Sequence, residues 1–75
     1  MYYRQGDLDQ AIADYSRVIE LSPELALAYY NRGYAYREKG LKAQAVADFE
    51  MYLQLEPNGA YSTEVEGWLR ELKGQ

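Results

Sequence analysis

Between Leu8 and Leu21 the apolar residues fall on one side of a helical wheel. Leu8, Ala11, Ile12, Tyr15, Val18 and Ile19 recur at spacings of three and four, with Asp9, Gln10, Asp14 and Arg17 between them. The same spacing returns in Ala45, Val46, Phe49, Tyr52 and Leu53. Each segment ends in an apolar residue, one intervening residue and a proline, at Leu21 to Pro23 and at Leu55 to Pro57. Proline cannot continue a helix and biases the residue before it towards extended backbone, so both sites read as turns. A further helix carries "AYYNRGYAYREKG", Ala28 to Gly40, and in a last one Tyr61, Val65, Trp68, Leu69 and Leu72 share a face. The pattern predicts an all-α chain of four helices, roughly Asp7 to Leu21, Glu24 to Lys39, Leu41 to Leu55 and Ala60 to Lys73. Asp7 reads as the N-cap of the first, with Gln10 three residues on in a capping-box arrangement. The third lacks such a signal, because Leu41 stands where Asp7 did and Lys42 puts a cation against the helix dipole. That helix is expected to fray at its start.

Sliding the chain against itself by 34 residues lays "YYRQGDLDQAIADYSRVIELSPELA" over "YREKGLKAQAVADFEMYLQLEPNGA". Tyr2 meets Tyr36, Gly6 meets Gly40, Gln10 meets Gln44, Ala11 meets Ala45, Asp14 meets Asp48 and Pro23 meets Pro57. Tyr15 against Phe49 and Ile19 against Leu53 keep apolar character. The last helix echoes the repeat weakly, with Gly67 over Gly33 and Trp68 over Tyr34, and reads as a cap with one polar outer face. A unit of this period with these landmarks resembles the tetratricopeptide repeat (TPR). Ala26 to Gly59 resembles one complete unit, with Tyr29, Gly33, Tyr36, Ala45, Phe49 and Pro57 in the signature places. Residues 1–25 resemble a truncated preceding unit and residues 60–75 a capping helix, all in one domain. The resemblance implies antiparallel helix-turn-helix repeats in a right-handed superhelix. Arg32 departs from it where a leucine is usual, and Tyr52 where a small residue is usual.

At about 100° per residue, Gly33 and Tyr36 fall within roughly 40° of Tyr29, whereas Tyr30, Tyr34 and Arg37 lie roughly 80 to 140° away. The first face is expected to be core, with Gly33 letting Ala45 on the facing helix approach closely and Gly33→Val pushing the two helices apart. The second face, by the resemblance, lines a concave groove for a peptide or protein segment. Matching positions give Leu27, Tyr30, Tyr34, Arg37 and Glu38 from the complete unit, Tyr3 and Arg4 from the truncated one, and Tyr61, Glu64 and Trp68 from the cap. Tyrosine and tryptophan suit such a role because they offer large contact area at low entropic cost. The competing reading is packing, with Tyr30 and Tyr34 against neighbouring helices and Trp68 in the core. Family members that hold acidic chaperone tails use basic and asparagine side chains over three units. Here Asn31 alone matches, and Tyr61 and Val65 occupy later clamp positions, so that ligand class is not expected.

The chemistry of the remaining residues narrows the function classes. The 75 residues contain no histidine and no cysteine, which removes the usual general base, thiol nucleophile and soft-metal ligand. Asp7 and Asp9 are explained as helix-start residues, and Asp48 with Glu50, like Glu64 with Glu66, point to different faces. Gly6 and Gly40 read as turn glycines rather than a phosphate cradle. No enzyme, catalytic residue, metal or cofactor is expected. A net charge of -4 with mixed signs disfavours nucleic acid. The longest apolar run, Leu25 to Tyr30, is far too short to span a bilayer, and a cytoplasmic setting is the default expectation.

The first helix has only residues 1–5 before it, so part of its stripe, Leu8, Ile12, Tyr15 and Ile19, is expected to be uncovered. Exposed apolar patches mark interaction surfaces. Either the chain is a piece of a longer array, or copies cover each other's open ends as a homodimer or higher oligomer. The leading expectation is a protein-interaction module or scaffold fragment with a protein or peptide partner, and the alternative is a self-assembling structural unit using that stripe.

Overall fold

The computed structural model describes residues 5–74. Its elements are four helices, α1 (Gln5–Leu21), α2 (Ala26–Lys39), α3 (Lys42–Leu55) and α4 (Ser62–Lys73), each packed on its neighbour in the chain. α2 lies between α1 and α3, and α4 leans on α3. The Lys39 ammonium at the end of α2 pairs with Asp9 near the start of α1 at 2.9 Å, which fixes those two helices as antiparallel. Lys73 at the end of α4 pairs with Glu50 on α3. The all-α, TPR-like reading therefore holds.

The core is centred on α3. Ala45, Phe49 and Tyr52 join Ala26 and Tyr29 from α2 and Val65 and Leu69 from α4 in one buried cluster. Phe49 and Val65 are its largest fully enclosed side chains. Tyr29 buries its ring here and sends its hydroxyl to the Pro23 carbonyl at 2.9 Å, tying the core to the α1–α2 turn. Tyr36, expected beside Tyr29 and Gly33, is half-buried and packs against the cluster from outside.

Glycine matters most at two positions. Gly40 adopts φ 86°, the left-handed conformation that ends α2, and Leu41 N–H closes the turn on the Tyr36 carbonyl at 2.9 Å. At Gly33 a Cβ would stand 2.8 Å from one ring carbon of Phe49 and 3.2 Å from Asp48 Cβ. Close approach is thus the role of Gly33, but Phe49 and Asp48 press on it rather than Ala45.

Several helix starts differ from the sequence reading. α1 runs back through Gly6 to Gln5, so Gly6 is helical rather than a turn residue, and Asp7 is a first-turn carboxylate rather than an N-cap. Gln10 accordingly makes no capping box and donates to Asp14 Oδ1 at 3.0 Å instead. α2 begins at Ala26 because Leu25 N–H still closes a turn on the Ser22 carbonyl. α3 starts at Lys42 with no side chain capping it, as the missing signal at Leu41 implied.

α4 begins at Ser62 because the residues before it form a pinned loop. The buried Ser62 hydroxyl donates to the Glu56 carbonyl at 2.6 Å and accepts from Gly59 N–H at 2.8 Å. Tyr52, oversized for its place in the repeat, uses its hydroxyl to accept from Tyr61 N–H at 3.1 Å. Its extra bulk thus links α3 to the loop that sets the position of α4.

Arg32, the other departure from the family pattern, is also built in. Its Nε and Nη2 donate to the two oxygens of buried Asp48 at 2.7 and 2.8 Å, while Nη1 donates to Ser16 Oγ at 3.0 Å. One guanidinium therefore links α1, α2 and α3. The Asp48 carboxylate beside it holds the arginine above its ordinary pKa, burial opposing.

Candidate functional site

α2 and α4 face each other across α3, and the space between them is bridged by side chains. The ring of Tyr30 is the hub: it stacks on Tyr61 at 4.5 Å between centroids, lies near-parallel to Trp68 at 5.8 Å and tilts against Tyr52 at 5.7 Å. Tyr34 sits one turn further along α2, 5.7 Å from Trp68. The indole of Trp68 also meets Phe49 at 5.2 Å, so it spans from the core to this seam. Offset and tilted aromatic pairs at such distances add about 0.5–1.5 kcal/mol each beyond their burial.

Polar contacts run along the same line. The Tyr30 hydroxyl donates to Glu64 Oε1 at 2.9 Å, and Arg37 Nη2 donates to Glu71 Oε1 at 3.3 Å. Arg37 also places its guanidinium 5.1 Å from the Trp68 ring centroid, a cation–π contact, and reaches Glu38 at 3.1 Å. Partial burial of the phenol, then the hydrogen bond and charge of Glu64, push the Tyr30 pKa well above the ordinary tyrosine value.

A cleft opens at either end of this aromatic row. At one end Leu25, Leu27, Tyr52 and Tyr61, with the carboxylates Glu24 and Glu56 beside them, line a mainly apolar hollow in which Leu27 is 46% and Tyr61 40% exposed. At the other, Arg37, Glu38, Lys42, Glu71 and Leu72 line a charged one. The surface thus grades from apolar to charged, with half-buried rings between.

The structure brings together Tyr30, Tyr34, Arg37, Tyr61, Glu64 and Trp68, places Leu27 beside Tyr61 at the apolar end and Glu38 at the charged end. Tyr3 and Arg4 lie outside the described residues. The choice between core and surface for Tyr30 and Tyr34 resolves into both: one side of each ring packs on the cap, and both residues stay half-buried. Glu71 and Leu25 were missed. Glu71 was legible as the residue one repeat period beyond Arg37.

The stripe on α1 is less open than expected. Leu8 is buried at 4% exposure and is not part of an open surface, and Ile19 packs against the core cluster. Ile12 and Tyr15 are half-buried. Among the described residues no cluster of three or more Asp, Glu, His or Cys could hold a metal ion, and no helix is long and apolar enough to cross a membrane.

No curated protein matches the chain. A family model described as TPR repeat matches residues 1–40, and one described as Tetratricopeptide repeat matches residues 26–58. The second match covers the α2–α3 pair, whose Gly33–Phe49 approach and Gly40 turn are the features that the repeat's landmarks encode. By its period, its helical hairpins and these two matches, the chain belongs to the tetratricopeptide repeat family.

Proposed function

We propose that the chain is a non-catalytic binding module that takes a protein or peptide segment along the α2–α4 seam. Tetratricopeptide repeats in general mediate protein–protein interaction. The observation that carries the finer reading is the row Tyr61, Tyr30, Trp68, Tyr34, whose rings hold one another in place while remaining accessible. Rings already ordered lose little further freedom on binding, which is where much of an interface's cost lies. Leu27 and Tyr61 would take an apolar side chain of the ligand, and Arg37, Glu38 and Lys42 a charged one, so the seam also sets a direction.

Selection of a displayed random-peptide library on the 75-residue chain tests this. The selected peptides should carry an apolar anchor at one end and charge at the other. Leu27→Asp should weaken them by about tenfold or more, and Tyr34→Ala should do likewise, as expected for side chains at an interface centre. Peptides whose affinity ignores both changes would remove the reading.

A further inference from the structure

We propose that the ligand of the seam is a basic segment of a partner protein, in which a lysine or arginine stands beside the large apolar side chain that enters the hollow at Leu27 and Tyr61. This rests on the seam reading above and adds the ligand's charge to it. Both walls of the hollow are interior to the chain, Glu24 to Leu27 on one side and residues between Tyr52 and Tyr61 on the other. Its volume is about 290 Å³, small for a drug-sized molecule and suited to one or two side chains.

The two ends of the seam repeat one arrangement with one difference. At the charged end the Trp68 ring and Glu71, three residues later on α4, together hold the Arg37 guanidinium, 5.1 Å from the ring centroid and 3.3 Å from Glu71 Oε1. Seven residues earlier on both helices, Tyr61 and Glu64 present the same ring and carboxylate, and Tyr30 stands where Arg37 does. Tyr30 stacks on Tyr61 and donates to Glu64 Oε1. A phenol satisfies a hydrogen bond there without neutralising the charge.

Glu24 and Glu56 add two exposed carboxylates at the rim of the hollow. Among the described residues none of Glu24, Glu56 and Glu64 is in an ion pair, and no lysine or arginine lines the hollow. Arg32, Arg37, Lys39 and Lys73 are each paired elsewhere. The apolar end of the seam therefore carries three carboxylates with no cation to match them.

That combination selects the occupant. An acidic segment would bring like charge to the rim, and a neutral apolar one would leave the carboxylates unanswered. Lysine and arginine lay a methylene stem along apolar surface and carry their charge beyond it. Such a stem covers Leu25 or Leu27 while its head meets Glu24 or Glu56. The open side of Tyr61 also offers a guanidinium the place over a ring that Arg37 has at Trp68. A second copy of the chain, with its net charge of -4, fits this end poorly.

Selection of the displayed random-peptide library supplies the probes, and the selected sequences are read for charge. Lysine and arginine should outnumber aspartate and glutamate within about two positions of the apolar anchor. The strongest binder, labelled and end-blocked so that no terminal amine acts as the cation, is titrated into the 75-residue chain by fluorescence anisotropy. Glu24→Gln and Glu56→Gln should each weaken it about two- to fivefold, as for exposed charge pairs, and added salt should shrink the effect. Glu66→Gln makes the same change in net charge on α4 away from the hollow and should leave binding unchanged. A peptide with its basic residues replaced by glutamate should bind the chain carrying Glu24→Lys and Glu56→Lys better than it binds the unaltered chain. Circular dichroism confirms that each variant is folded, and both carboxylates, being exposed, tolerate the changes. Binding that falls with Leu27→Asp and Tyr34→Ala but ignores both glutamine changes overturns this proposal and leaves the seam reading standing. Binding that ignores Leu27→Asp and Tyr34→Ala, or a library that yields no binder, removes the seam reading and this proposal with it. A chain that self-associates without peptide and loses that association on Glu24→Lys with Glu56→Lys also overturns it, since the occupant would then be a second copy.

Discussion

The Tyr30 hydroxyl donates to Glu64 at 2.9 Å across a separation of 34 residues, one full repeat, and Arg37 reaches Glu71 across the same separation. Tyr34 and Trp68 share that spacing and pack ring to ring. The cap is thus fastened to the complete unit position by position, in the register of the repeat itself. α3 supplies the backbone packing for α4, and the aromatic row supplies its orientation.

Alkaline pH should loosen this fastening. The Tyr30 pKa is raised in the folded chain from an ordinary value of 10.0, so the folded state keeps a proton that the unfolded state releases. Unfolding then releases protons, and stability falls with rising pH above the unfolded value. The contribution is fully present below about pH 10 and is lost as pH climbs towards the raised folded value. Thermal melts between about pH 8 and pH 11 should show a steeper decline for the unaltered chain than for Tyr30→Phe, which retains the ring and lacks the proton. Equal slopes would mean that the Tyr30 phenol has no such role. At neutral pH the same change should cost only about 0.5–1.5 kcal/mol, because the bond to Glu64 is exposed to water.

Two mid-helix glycines, Gly33 and Gly67, should respond to alanine with opposite signs. Alanine gains about 1 kcal/mol over glycine in a helix interior. At Gly67 nothing lies within 4 Å of an added Cβ, so the gain should appear as a higher melting temperature. At Gly33 the added carbon would meet two Phe49 ring atoms at 2.8 and 2.9 Å. That ring is fully enclosed and cannot swing away, so overpacking of about 1–3 kcal/mol outweighs the propensity gain. Denaturant midpoints of the two variants check the pair.

The pinned loop before α4 gives a third expectation. Ser62→Ala removes a hydroxyl that serves Gly59 N–H and the Glu56 carbonyl together, leaving these two backbone groups only their own longer bond of 3.2 Å. The cost should be about 0.5–1.5 kcal/mol. Hydrogen exchange at the Gly59 amide should accelerate more than exchange in α1. Uniform acceleration would assign Ser62 to global stability rather than to this loop.

How far the fold was legible follows from where its signals are local. The period, the two Pro turns and the Gly33 approach are written in residue spacing, so helix number, hairpins and most of the core could be read directly. Helix starts were harder. Asp7 carries the chemistry of an N-cap and equally that of a first-turn carboxylate, and only the path of the preceding backbone distinguishes them. The seam was half legible: the wheel separated Tyr30 and Tyr34 from Tyr29, but their stacking on Tyr61 and Trp68 depends on how closely α4 approaches. Tyr52 and Arg32 looked like departures from the pattern because each acts through a partner distant in sequence, Tyr61 for the one and Asp48 for the other.

The Arg32–Asp48 pair makes that last point measurable. Arg32→Leu restores the residue that the family usually carries, yet here it should destabilise the chain. Asp48 has only 6% of its side chain exposed, and leaving such a carboxylate without its counter-ion costs about 3–5 kcal/mol. Part of that cost is softened because the arginine side chain is itself 21% exposed and its site admits some water. Adding Asp48→Ala to Arg32→Leu removes the orphaned charge, so the double variant should recover stability relative to Arg32→Leu alone. A double-mutant cycle from urea unfolding should therefore give a coupling of about 1–3 kcal/mol, as expected for residues in one network. Additive single effects would mean that the guanidinium contributes through Ser16 and the Tyr36 ring, which it approaches at 5.7 Å, rather than through the carboxylate.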